Sequence, residues 1–371
     1  MKYDKILKKA ENILISNIYD KNKYKWGNYR MISPAIGHFL GIWNWDSAFH
    51  AIGMIPYDTE IAKEQILGFL QFQCENGMLP DAVFESGEIA DVCSKPPLMA
   101  YASMKIYNSC KDKAFIAEVY PKLCKEIEFW ERERQCDGMF HYDADKSKAS
   151  NEEQYLTSVK YETGWDDSPR WDNVPQNIWA IDLNCYMVMA YRAMAEMAKE
   201  QGKDGANWGN KADSLAEKIN SKLWNEKLMS YTDYDFCLNE YSTVLTPASF
   251  MPLFAEIATE EQATAMKNIA VQHFMPGMPT VAYTNSEYDD KYEHAYWRGP
   301  CWLNVAYFAA KGLKKYGFDD VADKIKETIL TWVNNDGESI HENYNATTGE
   351  GLCSDHFSWS CVFVREFIEN F

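Results

Sequence analysis

Two stretches of this chain concentrate side chains that can move protons. GWDDSPRWD, residues 164–172, sets Asp166 and Asp167 side by side, close to Arg170 and between Trp165 and Trp171, with no helical or strand period. Adjacent carboxylates raise each other's proton affinity, and an apolar neighbour such as Trp165 further disfavours the charged form. One of the pair is therefore expected to hold a proton near neutral pH. HENYNATTGEG, residues 341–351, places Glu342 between His341 and Asn343, ahead of a run of turn residues. One carboxyl group that gives a proton and a second that takes one can together protonate a glycosidic oxygen and activate water, and aromatic rings offer sugars a flat binding face.

Further unusual compositions fall at GIWNWDSAFH (41–50), with Trp43, Trp45 and Asp46, at CSKPP (93–97), with Lys95, at NEYS (239–242), and at YWRGPCW (296–302), with Trp297, Arg298 and Trp302. Each has an ordinary structural alternative. A tryptophan can be core, Asp46 can cap the helix that follows it, Arg298 can tie a loop to its own carbonyls, and Glu342 can be a solvated loop residue. Six tryptophans beside charged groups favour a shared pocket. The seven histidines form no HExxH and no ligand spacing with cysteine, so no metal is expected. GxSxG, GxxxxGK[ST] and a strand-borne GxGxxG are missing as well, and no cofactor is expected.

These stretches need elements to hold them. Apolar residues at three- and four-residue spacing predict helices near 4–19, 45–54, 58–75, 96–109, 112–134, 177–202, 206–225, 246–255, 259–273, 300–316, 319–334 and 356–370. Amphipathic helices rich in Lys and Glu (near 58, 112, 206, 259 and 319) alternate with helices apolar on most faces (near 45, 96, 246, 300 and 356). An all-α (α/α)6 barrel, a six-hairpin toroid, requires that alternation, with charged helices outside and apolar ones lining a funnel. The segments 135–176, 226–245, 274–299 and 335–355 are then loops at the active-site end, with room for short β-hairpins. Each unusual stretch lies just before a predicted inner helix, where such a barrel gathers its connections at one end. No linker divides the chain, so residues 1–371 read as a single catalytic domain.

Composition narrows the partners. The chain is 46% hydrophobic and 15% aromatic, more Trp and Tyr than a core needs. Lys and Arg total 37 against 55 Asp and Glu, and the net charge of −18 disfavours phosphate backbones and anionic membranes. The expected partner is a small carbohydrate, with neither nucleic acid nor membrane. Ten cysteines scattered singly, and an N-terminus that mixes charge with apolar residues, suggest a soluble cytoplasmic protein with no export signal. The oligomeric state is not written in the sequence.

WNWDSAFHAIGM, GWDDSPRW, YWRGPCWLNVAYFAAKGLKKYG and HENYNATTGEG with HFSWS, in that order from about residue 40 to the end, resemble the motifs of glycoside hydrolase family 63. That family of inverting (α/α)6 glycosidases includes α-glucosidases and mannosylglycerate hydrolases, with trehalases as more distant kin. The resemblance implies Asp166 as general acid and Glu342 as general base, with Trp45, Asp46, Trp297 and Arg298 shaping the subsite of the cleaved sugar. Trp43, Lys95, Trp165, Arg170, Trp171 and Trp359 are further substrate-binding candidates. It also implies carboxyl groups about 6.5–9.5 Å apart, leaving room for a water between them. Lys95 stands where the family pattern has Gln before the prolines, and Leu303 where Pro is common. The chain is shorter than the larger α-glucosidases with their N-terminal β-domain, which implies a small soluble α-glucoside or α-mannoside, and Lys95, Arg170 and Arg298 suggest an anionic aglycone such as glycerate. Two other readings stand beside this one: an (α/α)6 sugar epimerase or isomerase working through His50, His294 and His356, and a carbohydrate-binding protein without chemistry.

Overall fold

The computed structural model describes residues 3–172, 175–284 and 296–371. Among them the chain forms α1 (Asp4–Ser16), α2 (Asn44–Met54), α3 (Thr59–Leu70), α4 (Met99–Cys110), α5 (Lys113–Glu133), α6 (Glu152–Glu162), α7 (Ile181–Glu200), α8 (Ala206–Lys222), α9 (Met251–Phe254), α10 (Glu260–Ile269), α11 (Leu303–Lys315), α12 (Asp319–Asn335) and α13 (Ser358–Glu369). All twelve helices expected from periodicity are present. The one at 246–255 is divided between a 3₁₀ turn, Pro247–Phe250, and the single turn of α9, because Pro252 has no amide to donate in a continuous helix.

The helix missing from the sequence reading is α6. Its sequence, EEQYLTSVKYE, buries only Tyr155, Ser158, Val159 and Glu162, too sparse an apolar face for periodicity to register. Its start was legible by other means: Asn151 accepts from the Gln154 amide at 2.8 Å, and Glu152 and Glu153 fill the first turn.

The residues cluster into two compact units, neither a contiguous stretch of chain. One comprises Leu14–Asp166 and Tyr186–Leu215. In it α2 packs on α3 and α4, and α4 on α5. Every residue of α2 except Ile52 is buried, whereas α3 buries one face through Ile61, Ala62, Gln65, Ile66, Phe69 and Leu70. The expected alternation of apolar and amphipathic helices thus holds here. Asp58 and Asp112 cap α3 and α5 by accepting backbone amides two and three residues on, which sets where each hairpin turns back. A three-stranded antiparallel sheet, Gly41–Trp43 with Ala82–Phe84 with Ile89–Ala90, runs directly into α2.

The other unit comprises Met1–Ile13, Asp167–Cys185 and Ala216–Phe371. Here α11 packs on α9, α12 and α13. α11 and α13 are buried on most faces, and α12 buries the stripe Val321, Ala322, Ile325, Ile329, Leu330 and Val333. Lys9 of α1 donates to the Val333 and Gly337 carbonyls at 2.7 and 3.0 Å, placing a cation at the C-terminal end of α12. The expected β-hairpins are present. Asn343–Tyr344 pairs with Gly351–Leu352 just before α13, and Ile178–Trp179 joins Tyr234–Asp235 and Glu240–Tyr241 just before α7. No described helix is long and apolar enough to cross a membrane.

Candidate active site

In the first unit the site residues are organised by the start of α2 and by the turn that ends at Asp166. The helix begins at Asn44, so Asp46 lies inside its first turn and is not the N-cap; it is buried, as is Trp45. Trp43, half-buried, meets Phe39 and Phe84 edge-on at 5.5 and 5.8 Å. Gly164 has φ +74°, and a Cβ there would stand 2.6 Å from Cη2 of Trp45, so the turn runs against the Trp45 ring where only glycine fits. Trp165 is wholly buried, its amide donating to Thr163 Oγ1 at 2.9 Å. The Asp166 side chain keeps 28% of its surface exposed and lies 3.7 Å from the ammonium of Lys95.

Lys95 is buried. Its Nζ also lies 3.4 Å from Asp81 and donates to the Tyr161 carbonyl. Burial opposes the charge on Lys95, but Asp81 and Asp166 outweigh it and hold the ammonium protonated above its ordinary range. Asp81 itself is pushed up to about 6, first by burial and then by the charge of Asp166, with Lys95 pulling the other way.

In the second unit Asp167 is held by the segment that carries Trp297 and Arg298. The Trp297 amide donates to its Oδ1 at 2.7 Å and Arg298 to its carbonyl at 2.8 Å. Burial raises the proton affinity of Asp167, while the Trp297 amide and Arg298 oppose that rise. Arg298 also grips Asp172 through both terminal nitrogens at 2.8 and 2.7 Å, and the Gly299 amide donates to Thr280 Oγ1 at 2.9 Å, pinning the turn that carries it. Arg170 is buried, with Asp182 at 2.9 and 2.8 Å and Asp233 at 2.7 and 2.9 Å on its guanidinium. It differs from the cation expected to meet substrate, because its N–H groups face carboxylates of its own fold.

Glu342, also buried, stands at the edge of the Asn343–Tyr344 hairpin. The Tyr296 hydroxyl donates to its Oε1 and the Ser354 amide to its Oε2 at 3.3 Å, while its own amide donates to the Ser354 carbonyl at 2.8 Å. Beside it Trp297 stacks on Trp302 at 3.8 Å and Trp302 on Trp359 at 5.6 Å, with Tyr296 edge-on to Trp302 at 4.8 Å. Trp171 is buried under the Arg170 guanidinium at 4.4 Å. The expectation of tryptophans lining a rim therefore changes: Trp165, Trp171, Trp297 and Trp359 are buried by their own chain.

The model for the "Mannosylglycerate hydrolase MGH1-like glycoside hydrolase domain" matches residues 40–360, a span that holds Asp46, Lys95, Asp166, Arg298 and Glu342. The chain belongs to this family of glycoside hydrolases. The mannosylglycerate hydrolase of Rubrobacter radiotolerans is 24% identical over 93% of this chain and 94% of its own length, and that of Selaginella moellendorffii called MGH1 is 24% identical over 90% and 81%. Among solved structures, the family 63 mannosylglycerate hydrolase of Thermus thermophilus in complex with Tris and D-glycerate matches with a TM-score of 0.82. It is 22% identical and covers 97% of this chain and 98% of that one. Neutral trehalase Nth1 from Saccharomyces cerevisiae matches at 0.75, with 16% identity over 97% of this chain and 79% of that one. These likenesses show the (α/α)6-barrel fold.

The histidines of the epimerase reading fit this hydrolase poorly. His50 lies wholly inside α2, where burial pushes it down to about 3 and so keeps it neutral; His356 is exposed beside Asp355; His294 lies outside the described residues. Sequence reasoning missed Asp81, Asp182, Asp233 and Tyr296 as partners of the site residues. Tyr296 was visible in YWRGPCW. The three aspartates sit in ordinary-looking segments whose role depends on tertiary approach alone.

Proposed function

We propose that this glycoside hydrolase cleaves a small α-linked mannoside or glucoside with inversion, Asp166 acting as general acid and Glu342 as general base. The observation that carries the assignment is the unequal treatment of the acidic pair. Asp167 is anchored on the Trp297 amide, whereas the Asp166 side chain stays partly exposed beside a charged neighbour. In the reaction, Asp166 delivers its proton to the glycosidic oxygen as the bond from that oxygen to the anomeric carbon breaks. Glu342 accepts a proton from the water whose oxygen forms the new bond on the opposite face of the sugar. Two donors on Glu342, from Tyr296 and Ser354, fix the direction of its carboxylate and so the line of approach of the water.

An aglycone such as glycerate is supported by the names of the relatives more than by the cations expected from sequence. Lys95, Arg170 and Arg298 each already face carboxylates of this chain. A single catalytic domain over residues 1–371 is supported by the interleaving of the two units along the chain, and a cytoplasmic location by ten singly scattered cysteines. The test is release of free sugar from mannosylglycerate, glucosylglycerate, trehalose and other α-linked disaccharides, with Asp166→Asn and Glu342→Gln alongside. Turnover of one panel member that both substitutions abolish supports the reading; turnover of none, or full activity in either variant, overturns it.

A further inference from the structure

We propose that Lys95 and Asp81 are positioning residues that set the pH range of catalysis by holding a charge pair against Asp166. This rests on Asp166 being the general acid. The geometry is a chain of three charged groups: Asp81, the Lys95 ammonium 3.4 Å from it, and Asp166 3.7 Å beyond. Lys95 and Asp81 are both buried, so their charges act on Asp166 with little screening by solvent.

The ammonium is also held in place. Lys95 donates to the carbonyl of Tyr161, in the last turn of α6 just before the turn that ends at Asp166, and its ammonium lies 5.8 Å from the centre of the Tyr161 ring. Glu162 then fastens the two backbone segments to each other. It accepts from the Ser94 amide at 3.0 Å, from Arg134 at 2.9 and 3.1 Å, and from the Asp143 amide at 2.8 Å. The segment carrying Lys95 and the turn carrying Asp166 are thus keyed to one carboxylate, itself neutralised by Arg134. The other titratable groups around the pair are Asp46, Cys93 and the Tyr161 hydroxyl.

The sign follows from charge. A cation at 3.7 Å favours ionised Asp166, so Lys95 makes the acid give up its proton at lower pH. Asp81, when ionised, works in the opposite sense and also shares the attraction of Lys95. The upper limb of kcat/KM against pH reports loss of the proton that a general acid must donate. Lys95 therefore pulls that limb down and Asp81 pushes it up. The enzyme's alkaline limit is set by the balance between a buried cation and a buried carboxylate, neither of which donates the proton.

The experiment is the pH profile of kcat/KM for the wild type, Lys95→Gln, Lys95→Arg, Asp81→Asn and Asp166→Asn. The substrate is whichever of mannosylglycerate, glucosylglycerate and trehalose the wild type cleaves fastest. Lys95→Gln should move the upper limb upward by about one pH unit, Lys95→Arg should bring it back toward the wild type, and Asp81→Asn should move it downward. Limbs that stay put in Lys95→Gln and Asp81→Asn, or that move the same way in both, with Asp166→Asn inactive, overturn the inference. If Lys95→Gln does not fold, the direction of the Asp81→Asn shift decides. Wild-type turnover in Asp166→Asn overturns the assignment of the acid, a different failure from an unmoved limb.

Discussion

Asp166 and Asp167 are neighbours in sequence with unlike surroundings: one carboxylate is partly exposed beside Lys95, the other accepts the Trp297 amide at 2.7 Å. Asp166→Asn and Glu342→Gln should each lower kcat by about 10²- to 10⁴-fold, since each removes one proton-transfer partner without changing the size of the site. Asp167→Asn keeps an oxygen for the Trp297 amide and should lower kcat by less than about tenfold; steady-state rates of the three variants side by side decide the assignment within the pair. Arg170 gives the contrasting residue-level case. It is buried between Asp182 and Asp233, so Arg170→Met strands two buried carboxylates and should cost ~3–5 kcal/mol of stability, read from urea unfolding. A loss under about 1 kcal/mol would return Arg170 to the substrate contacts expected from sequence. Sequence could identify Arg170 as unusual but not say what faced it, because Asp182 and Asp233 lie 12 and 63 residues away.

Among the elements, the turn before Asp166 is set by one glycine. Gly164 combines a left-handed backbone with a ring in the place of its Cβ, whereas Gly37, at φ +90°, has nothing within 4 Å of where a Cβ would sit. Gly37→Ala therefore measures backbone strain alone, about 1–2 kcal/mol. Gly164→Ala must also displace the Trp45 ring or the turn, and a shift of that kind at an acid should lower kcat by roughly 10- to 100-fold. Equal effects of the two substitutions on both melting temperature and kcat would remove the Trp45 contact from the account. That glycine was legible as a turn marker, and the helices flanking the site were legible from their apolar spacing, because burial of whole faces leaves a period in the sequence. What stayed hidden was α6, with its thin apolar face, and the burial of the tryptophans. A Trp stacked on another Trp, as Trp297 is on Trp302, carries the same sequence signal as one waiting for a sugar.

At the scale of the whole molecule, the alternation of amphipathic and apolar helices made the fold class readable, and the net charge of −18 set nucleic acid aside before any motif was considered. Substrate identity was not readable in this way, because barrels of one fold differ in the few side chains that meet the ligand and share the many that fill the core. The stereochemical outcome belongs to this scale too, since it depends on the whole constellation rather than on either carboxylate. If Glu342 activates water while Asp166 protonates the leaving oxygen, the anomeric carbon is attacked once, and an α-glycoside must yield the β-anomer first. If instead a carboxylate attacked the carbon, a second displacement by water would restore the α configuration through a covalent glycosyl-enzyme. Proton NMR of the earliest product, recorded before mutarotation mixes the anomers, separates the two. The β-anomer is the expected signal; an initial α-anomer, or a trapped glycosyl-enzyme, would sink the single-displacement mechanism even with both carboxylates proved essential.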